Sequence, residues 1–277
     1  MSVILIYIIC YIFRIFESFI LRTDQSIFGE LFIHKIIGII ILVISLKYFR
    51  YSWVNIGFKK DTFLKNSFVG LLFGLIVFLI AYGIEFIIQM SNNNYPHIRL
   101  FVTAYSTEGN IEIIGGIELW FLCIIGNIIN VIMEEGIFRG LFLYRLERKK
   151  TFLSACIISS ILFGLWHIVS PLRNYFDGNQ SAFGTLMSSI MLIITTTLVG
   201  IQFCMIYKII GSLWFGMIFH FINNTSTNLI HIETITGIDE LMILRIAIAQ
   251  TISFIVILIV YIIKVKKKEY KNSPNYT

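Results

Sequence analysis

The chain reads as a succession of long apolar stretches separated by short polar ones. Eight can be drawn, at roughly 3–20, 31–48, 67–89, 117–138, 152–169, 186–206, 213–230 and 242–263. Each is about 17–25 residues long, the length an α-helix needs to cross the hydrocarbon core of a bilayer. The pattern predicts an all-α polytopic membrane bundle of about eight transmembrane helices. Arg14, Glu17, His34 and Lys35 interrupt the first two stretches. Arg14 and Glu17 are spaced i,i+3, which suits a pair within one helix. The start lacks the basic n-region and small-residue cleavage site of a signal peptide, so 3–20 is expected to be a retained span.

Composition sharpens this picture. Hydrophobic residues make up 57% of the 277 and charged residues 14%, against about 25% charged in a soluble domain. The net charge of +6 is sorted by loop. Lys47, Arg50, Lys59, Lys60 and Lys65 fall in one connection, and Arg139, Arg145, Arg148, Lys149 and Lys150 in another. Lys208 follows near 207–212, and Lys264, Lys266, Lys267, Lys268 and Lys271 lie in the tail. The alternate loops hold Arg22, Arg99 and Arg173 and collect Glu108, Glu112, Glu118, Glu233, Asp239 and Glu240. Sixteen basic residues against three follow the positive-inside rule, with both termini cytoplasmic in a multi-pass cell-membrane protein. The basic residues therefore report topology. A nucleic-acid partner would need them gathered on one folded face, and none is expected. The four cysteines, Cys10, Cys123, Cys156 and Cys204, fall inside apolar runs with neither zinc nor redox spacing. They are expected to be small packing residues.

No linker or clear internal repeat divides the chain. It is read as one membrane assembly with N-terminal spans over 1–112, a core over 113–230, and a last span with a basic tail over 231–277. The outer loop 91–116 is the longest. Gly70 with Gly74, and Gly136 with Gly140, form GxxxG pairs that predict close helix packing. The tail 264–277 is expected to be a disordered anchor at the cytoplasmic headgroups.

Chemistry concentrates in the core. An ionisable group at the centre of a bilayer costs about 2.5–3.5 kcal/mol or more, so several are kept only if they face one another or water. At about 100° per residue, Asn127, Asn130 and Glu134 share one stripe of the fourth span. Glu135 and Arg139 share a neighbouring stripe at i,i+4, the spacing of a carboxylate–guanidinium pair. The two adjacent carboxylates should therefore have different partners, Glu134 facing the interior and Glu135 held by Arg139. Ser160, Phe163, Gly164 and His167 share a face of the fifth span, and Gly216, His220, Asn224 and Thr227 a face of the seventh. A lone histidine on an apolar helix is usually a packing residue. Two histidines on polar stripes, with a buried acid at matching depth, point to one buried site.

These residues carry a resemblance. EEGIFRG (134–140), FGLWH (163–167) and HFINN (220–224) resemble the EExxxR, FxxxH and HxxxN motifs of the CPBP family. These are the CAAX-protease and bacteriocin-processing intramembrane proteases, also called the Abi family. The motifs occur in order, on separate apolar segments, over about 113–230. The resemblance implies a helical intramembrane endopeptidase in which Glu134 and His167 activate water while His220 and Asn224 stabilise the oxyanion. Glu135, Arg139, Phe163, Asn127 and Asn130 are expected to support them. It also implies a peptide or membrane-protein substrate, of the bacteriocin-maturation or self-immunity type.

An older reading of such motifs is a zinc metalloprotease. Catalytic zinc takes three protein ligands and a water, but the chain has no HExxH, and its two candidate histidines lie on different spans. Metal-free catalysis without a cofactor is the expectation. Two competing functions use the same residues: a non-catalytic immunity or peptide-binding protein, and an ion-coupled transporter. Transporters often show inverted repeats and broken helices, and no repeat is found here. The sequence does not specify an oligomeric state.

Overall fold

The computed structural model describes residues 2–26, 31–103 and 116–271, with side chains as far as Val265. Glu108 and Glu112 of the expected outer loop, and the tail beyond Lys271, lie outside the described residues.

All eight apolar stretches are helical. Helix α1 (Val3–Phe16) runs into a π-helical turn, Glu17–Leu21. Helices α2 (Ile33–Phe49) and α3 (Phe63–Ser91) follow. Helix α4 (Ile117–Glu134) passes through a π-helical segment, Glu135–Phe142, into the short α5 (Leu143–Glu147). Helix α6 (Phe152–Trp166) and the short α7 (Val169–Phe176) come next. Helices α8 (Ala182–Ile210), α9 (Trp214–Leu229) and α10 (Met242–Lys271) complete the bundle. Among the described residues, six helical stretches are long and apolar enough to cross a membrane; α2, with 17 residues, and α9, with 16, are shorter. Thr151 and Ser181 start α6 and α8, their hydroxyls accepting from the N–H of Ser154 and Gly184. Gly211, at φ 71°, ends α8 in the left-handed conformation.

Apolar side chains point both ways. Leu64, Leu79, Phe183 and Ile243 are 72–81% exposed, a surface suited to lipid rather than water. Inside, the two larger of four apolar clusters among the described residues tie the helices together. One joins α1, α2, α6 and the π-helical segment through Ile6, Leu42, Phe138 and Trp166. The other joins α3, α8, α9 and α10 through Phe78, Phe203, Phe219 and Ile257. Both GxxxG pairs pack closely as expected. A Cβ on Gly70 would stand 2.6 Å from the Phe215 carbonyl oxygen of α9, and one on Gly140 would stand 3.1 Å from the Ile56 carbonyl oxygen. The four cysteines are buried and form no disulfide.

The connecting segments sort to two ends. At one end Trp214 Nε1 donates to the Lys59 carbonyl, Lys208 pairs with Glu147 and Arg145 donates to Tyr51. At the other end Arg22 pairs with Asp177, and Arg173 reaches Asp24 at 3.2 Å. That second end also carries a two-stranded antiparallel ribbon of β1 (His97–Leu100) and β2 (Ile230–Glu233). A buried network anchors the ribbon: Arg245 of α10 reaches Glu85 of α3 at 2.9 Å and Asp239 at 3.0 Å, and Asp239 holds His231 at 2.6 Å.

Four expectations change. The ribbon adds strands that an all-α reading omitted. The span expected over 152–169 stops at Trp166 and turns at His167 and Ile168. Arg139, counted among the loop cations, is buried in the π-helical segment, and Lys208 lies in the last turn of α8. The expected disordered tail is helical as far as Lys271, since lysine and glutamate are good helix formers and carry α10 onward.

Candidate active site

The three motifs converge at the seam between the two larger apolar clusters. They line a cavity of about 290 Å³ whose wall includes Asn130, Glu134, His167, His220 and Asn224. Helix α4 brings Asn130 and Glu134, the break after α6 brings His167, and α9 brings His220, Asn224 and Thr227.

The π-helical segment begins at the second glutamate of the pair. Such segments insert an extra residue into the helical ladder and recur at functional sites. Here Glu134 and Glu135 point to different neighbours, with His220 between the two carboxylates. Glu134 accepts from Trp166 Nε1 at 3.1 Å and from Asn130 Nδ2 at 3.4 Å. The Arg14 guanidinium lies 4.0 Å away, and His220 Nε2 lies 3.7 Å away. Every partner is a donor or a cation, the surroundings of a carboxylate rather than of a carboxylic acid. Glu135 Oε1 takes Arg139 at 3.2 Å, as the spacing predicted, and also His220 Nδ1 at 2.9 Å. The Arg139 guanidinium is sandwiched further, 3.9 Å from the Phe163 ring and 5.2 Å from that of Phe203. Each buried acid thus stands against a cation, which offsets its desolvation.

The imidazoles are oriented by what their Nδ1 atoms meet. His167 Nδ1 lies 2.8 Å from the Phe163 carbonyl. A carbonyl only accepts, so Nδ1 carries the proton, and neutral His167 has its lone pair on Nε2. That is the form that accepts a hydrogen bond from water. His167 and Glu134 both line the cavity without a direct hydrogen bond between them. His220 donates Nδ1–H to Glu135. For its Nε2 to donate as well, the ring must be doubly protonated, and Glu134 and Glu135 offer it two carboxylates. Phe203 stacks on this ring at 5.3 Å between centroids and fixes its plane.

Asn224 is set by a relay. Gln250 Nε2 donates to Asn223 Oδ1 at 2.7 Å, and Asn223 Nδ2 donates to Asn224 Oδ1 at 3.0 Å. The Asn224 oxygen is thereby the accepting edge, and Nδ2 is the edge that donates.

Other expected residues fall differently. Asn127 is buried, but its Nδ2 turns to the Cys123 carbonyl at 3.0 Å rather than to Glu134. Ser160 and Gly164 pack against α8 at Gly200 and Ile193, away from the cavity. Phe163 does not line the cavity either; its ring supports Arg139 and meets the His167 ring at 4.7 Å. Arg14 and Glu17 each find a partner on another element. Arg14 reaches Glu134 and lies 4.6 Å over the Trp166 ring. Glu17 takes His34 Nδ1 at 2.6 Å and the backbone N–H of Ile33 and His34.

Sequence reasoning missed Arg14, His34, Lys35 and Trp166 as parts of the site. The signal for the first three was present, as charged and polar residues interrupting apolar runs that then had to face something polar. Trp166 gave none, because tryptophan beside His167 reads as packing. Among the described residues, no group of three His, Cys, Asp or Glu side chains is placed to hold a metal ion.

Residues 116–226 match the family model Rce1-like, described as type II CAAX prenyl endopeptidase Rce1-like. The match runs from the start of α4 almost to the end of α9 and contains all three motifs. No curated protein and no solved structure matches the chain.

Proposed function

We propose that this chain, which belongs through residues 116–226 to the CAAX-protease family, is an intramembrane endopeptidase acting on a peptide or membrane-associated protein. The observation that carries the reading is the convergence of Glu134, His167, His220 and Asn224, from three separate elements, on one cavity. Glu134 takes the proton of a water held between it and His167, whose Nε2 accepts the water's other O–H and orients it. The hydroxide attacks the scissile carbonyl, and the negative charge developing on its oxygen is met by His220 Nε2–H and Asn224 Nδ2–H. Fixed donors in a site shielded from bulk water stabilise such an oxyanion strongly. The proton taken from water then passes to the leaving amine.

The reaction needs no metal in this reading. The fourth member of the set, Asn224, is an amide, a poor ligand for zinc. A role in peptide maturation or self-immunity fits a site of this kind. The test is the membrane peptidome of cells carrying the wild-type protein or Glu134→Ala. Peptides present only with the wild type support hydrolysis; identical peptidomes with both proteins at equal abundance would refute it.

A further inference from the structure

The two ends of the bundle differ in charge, and the cavity sits toward one of them. Its wall includes Leu31, Ser170, Thr227 and Asn228. Leu31 adjoins the start of α2, and Ser170 lies in α7, whose Arg173 reaches Asp24. Thr227 and Asn228 close α9 just before β2, and Thr103 N–H donates to the Asn228 carbonyl at 3.1 Å. All four belong to the end with the ribbon and the Arg22–Asp177 pair. The basic connections, with Lys59, Lys60, Arg148, Lys149 and Lys150, lie at the opposite end. Basic loops stay in the cytoplasm.

The wall is also polar. Leu31 is the one apolar side chain among the described residues lining it; the rest are arginine, lysine, histidine, glutamate, asparagine, serine and threonine. An isoprenoid chain gains about 0.8 kcal/mol per CH₂ only on apolar surface, and the side chains of this wall, Leu31 apart, all carry polar groups. Amides and hydroxyls instead match the N–H and C=O groups of an extended peptide.

We propose that substrate reaches the site from the extracytoplasmic side, as an exported peptide or outward-facing segment that carries no lipid. This rests on the hydrolase reading and adds to it the side of access and the substrate class, which differs from the prenylated one in the family's description. The cavity opens opposite the basic loops, so water and peptide come in from outside the cell, and the bond is cut near the outer headgroups.

Sidedness is read by cysteine labelling of the full chain, since all four native cysteines are buried. Ser170→Cys and Thr227→Cys report the cavity, and Lys60→Cys reports the basic end. A membrane-impermeant maleimide should label both cavity variants in intact cells at least tenfold more than Lys60→Cys, and should label Lys60→Cys only after permeabilisation. If both cavity variants label only after permeabilisation, or in neither condition, the proposal is overturned. The substrate class is read from the Glu134-dependent products. Cut sites in exported, unlipidated segments support it, and cut sites in cytoplasmic or lipidated segments overturn it. If no Glu134-dependent product exists, the hydrolase reading fails, while the labelling still decides the side of the cavity.

Discussion

His220 Nδ1 stands 2.9 Å from Glu135 Oε1, the same oxygen that takes Arg139 at 3.2 Å. One carboxylate therefore ties α9 to the π-helical segment and orients the imidazole assigned to the oxyanion. Glu135 is a positioning residue, although it is the neighbour of Glu134 in sequence. Glu135→Gln should destabilise the protein, because removing one partner of a buried pair costs about 3–5 kcal/mol. Thermal unfolding in detergent should show a clearly lower midpoint than for Glu134→Gln. Equal midpoints would mean that Glu135 does not hold the two helices.

His220→Ala and Asn224→Ala should each lower kcat by about 10²–10³, the usual cost of losing one oxyanion-hole donor. The double variant should lose less than the product of the two, since groups acting as a unit are not additive. Activity should survive strong chelation. Chelator-sensitive activity restored by Zn²⁺, with a mild Asn224→Ala phenotype, would replace the oxyanion assignment with a metal site.

Trp166→Phe separates the two contacts of the indole. The aromatic face that Arg14 covers at 4.6 Å is kept, while the N–H that reaches Glu134 at 3.1 Å is removed. A hydrogen bond to a charged group contributes about 1.5–3 kcal/mol. If it steers Glu134 toward the reacting water, kcat should fall about tenfold or more with little change in KM or unfolding midpoint. A shift in KM alone would assign Trp166 to substrate binding.

The ribbon end should loosen in acid. Burial works against ionisation of Asp239, but hydrogen bonds from His231 and the Ile232 N–H, with the Arg245 charge, outweigh it and hold the carboxyl below its ordinary value. A depressed carboxylate contributes stability above its unfolded pKa, about 3.9, and that contribution is lost as pH falls through the lower folded value. Glu85, Arg245 and His231 are the ionisable groups facing it. Hydrogen-exchange protection over 230–241, taken relative to the intrinsic rate at each pH, should hold from neutral pH down to about pH 4 and fall below it, and Asp239→Asn should lower it throughout. Equal protection in the variant would show that the network does not anchor the ribbon.

Much of this was legible in the chain. Apolar run length alone placed all eight helices, because a bilayer fixes both length and composition. The i,i+4 spacing found the Glu135–Arg139 pair, and the stripe through His220 and Asn224 found the cavity face of α9. Three things were not legible. A helical wheel gives a side chain's direction but not its partner. It put Asn127 on the Glu134 stripe, where its amide instead bonds the Cys123 carbonyl four residues back. It foresaw neither the π-helical segment nor the bond from Glu135 to His220. Partners distant in sequence, such as Arg14 with Glu134, 120 residues apart, depend on which helices become neighbours. The ribbon was hidden by its brevity, although HIRL and IHIE both alternate polar with apolar residues, the two-residue period of a strand.

The central claim is that Glu134 is the base, and Glu134→Gln tests it most directly. Glutamine keeps the shape and an acceptor for Trp166, but it does not take a proton from water. The purified variant should unfold at close to the wild-type midpoint and show no cleavage of the peptide that the wild type cuts. A folded Glu134→Gln protein that cleaves at the wild-type rate would contradict the mechanism.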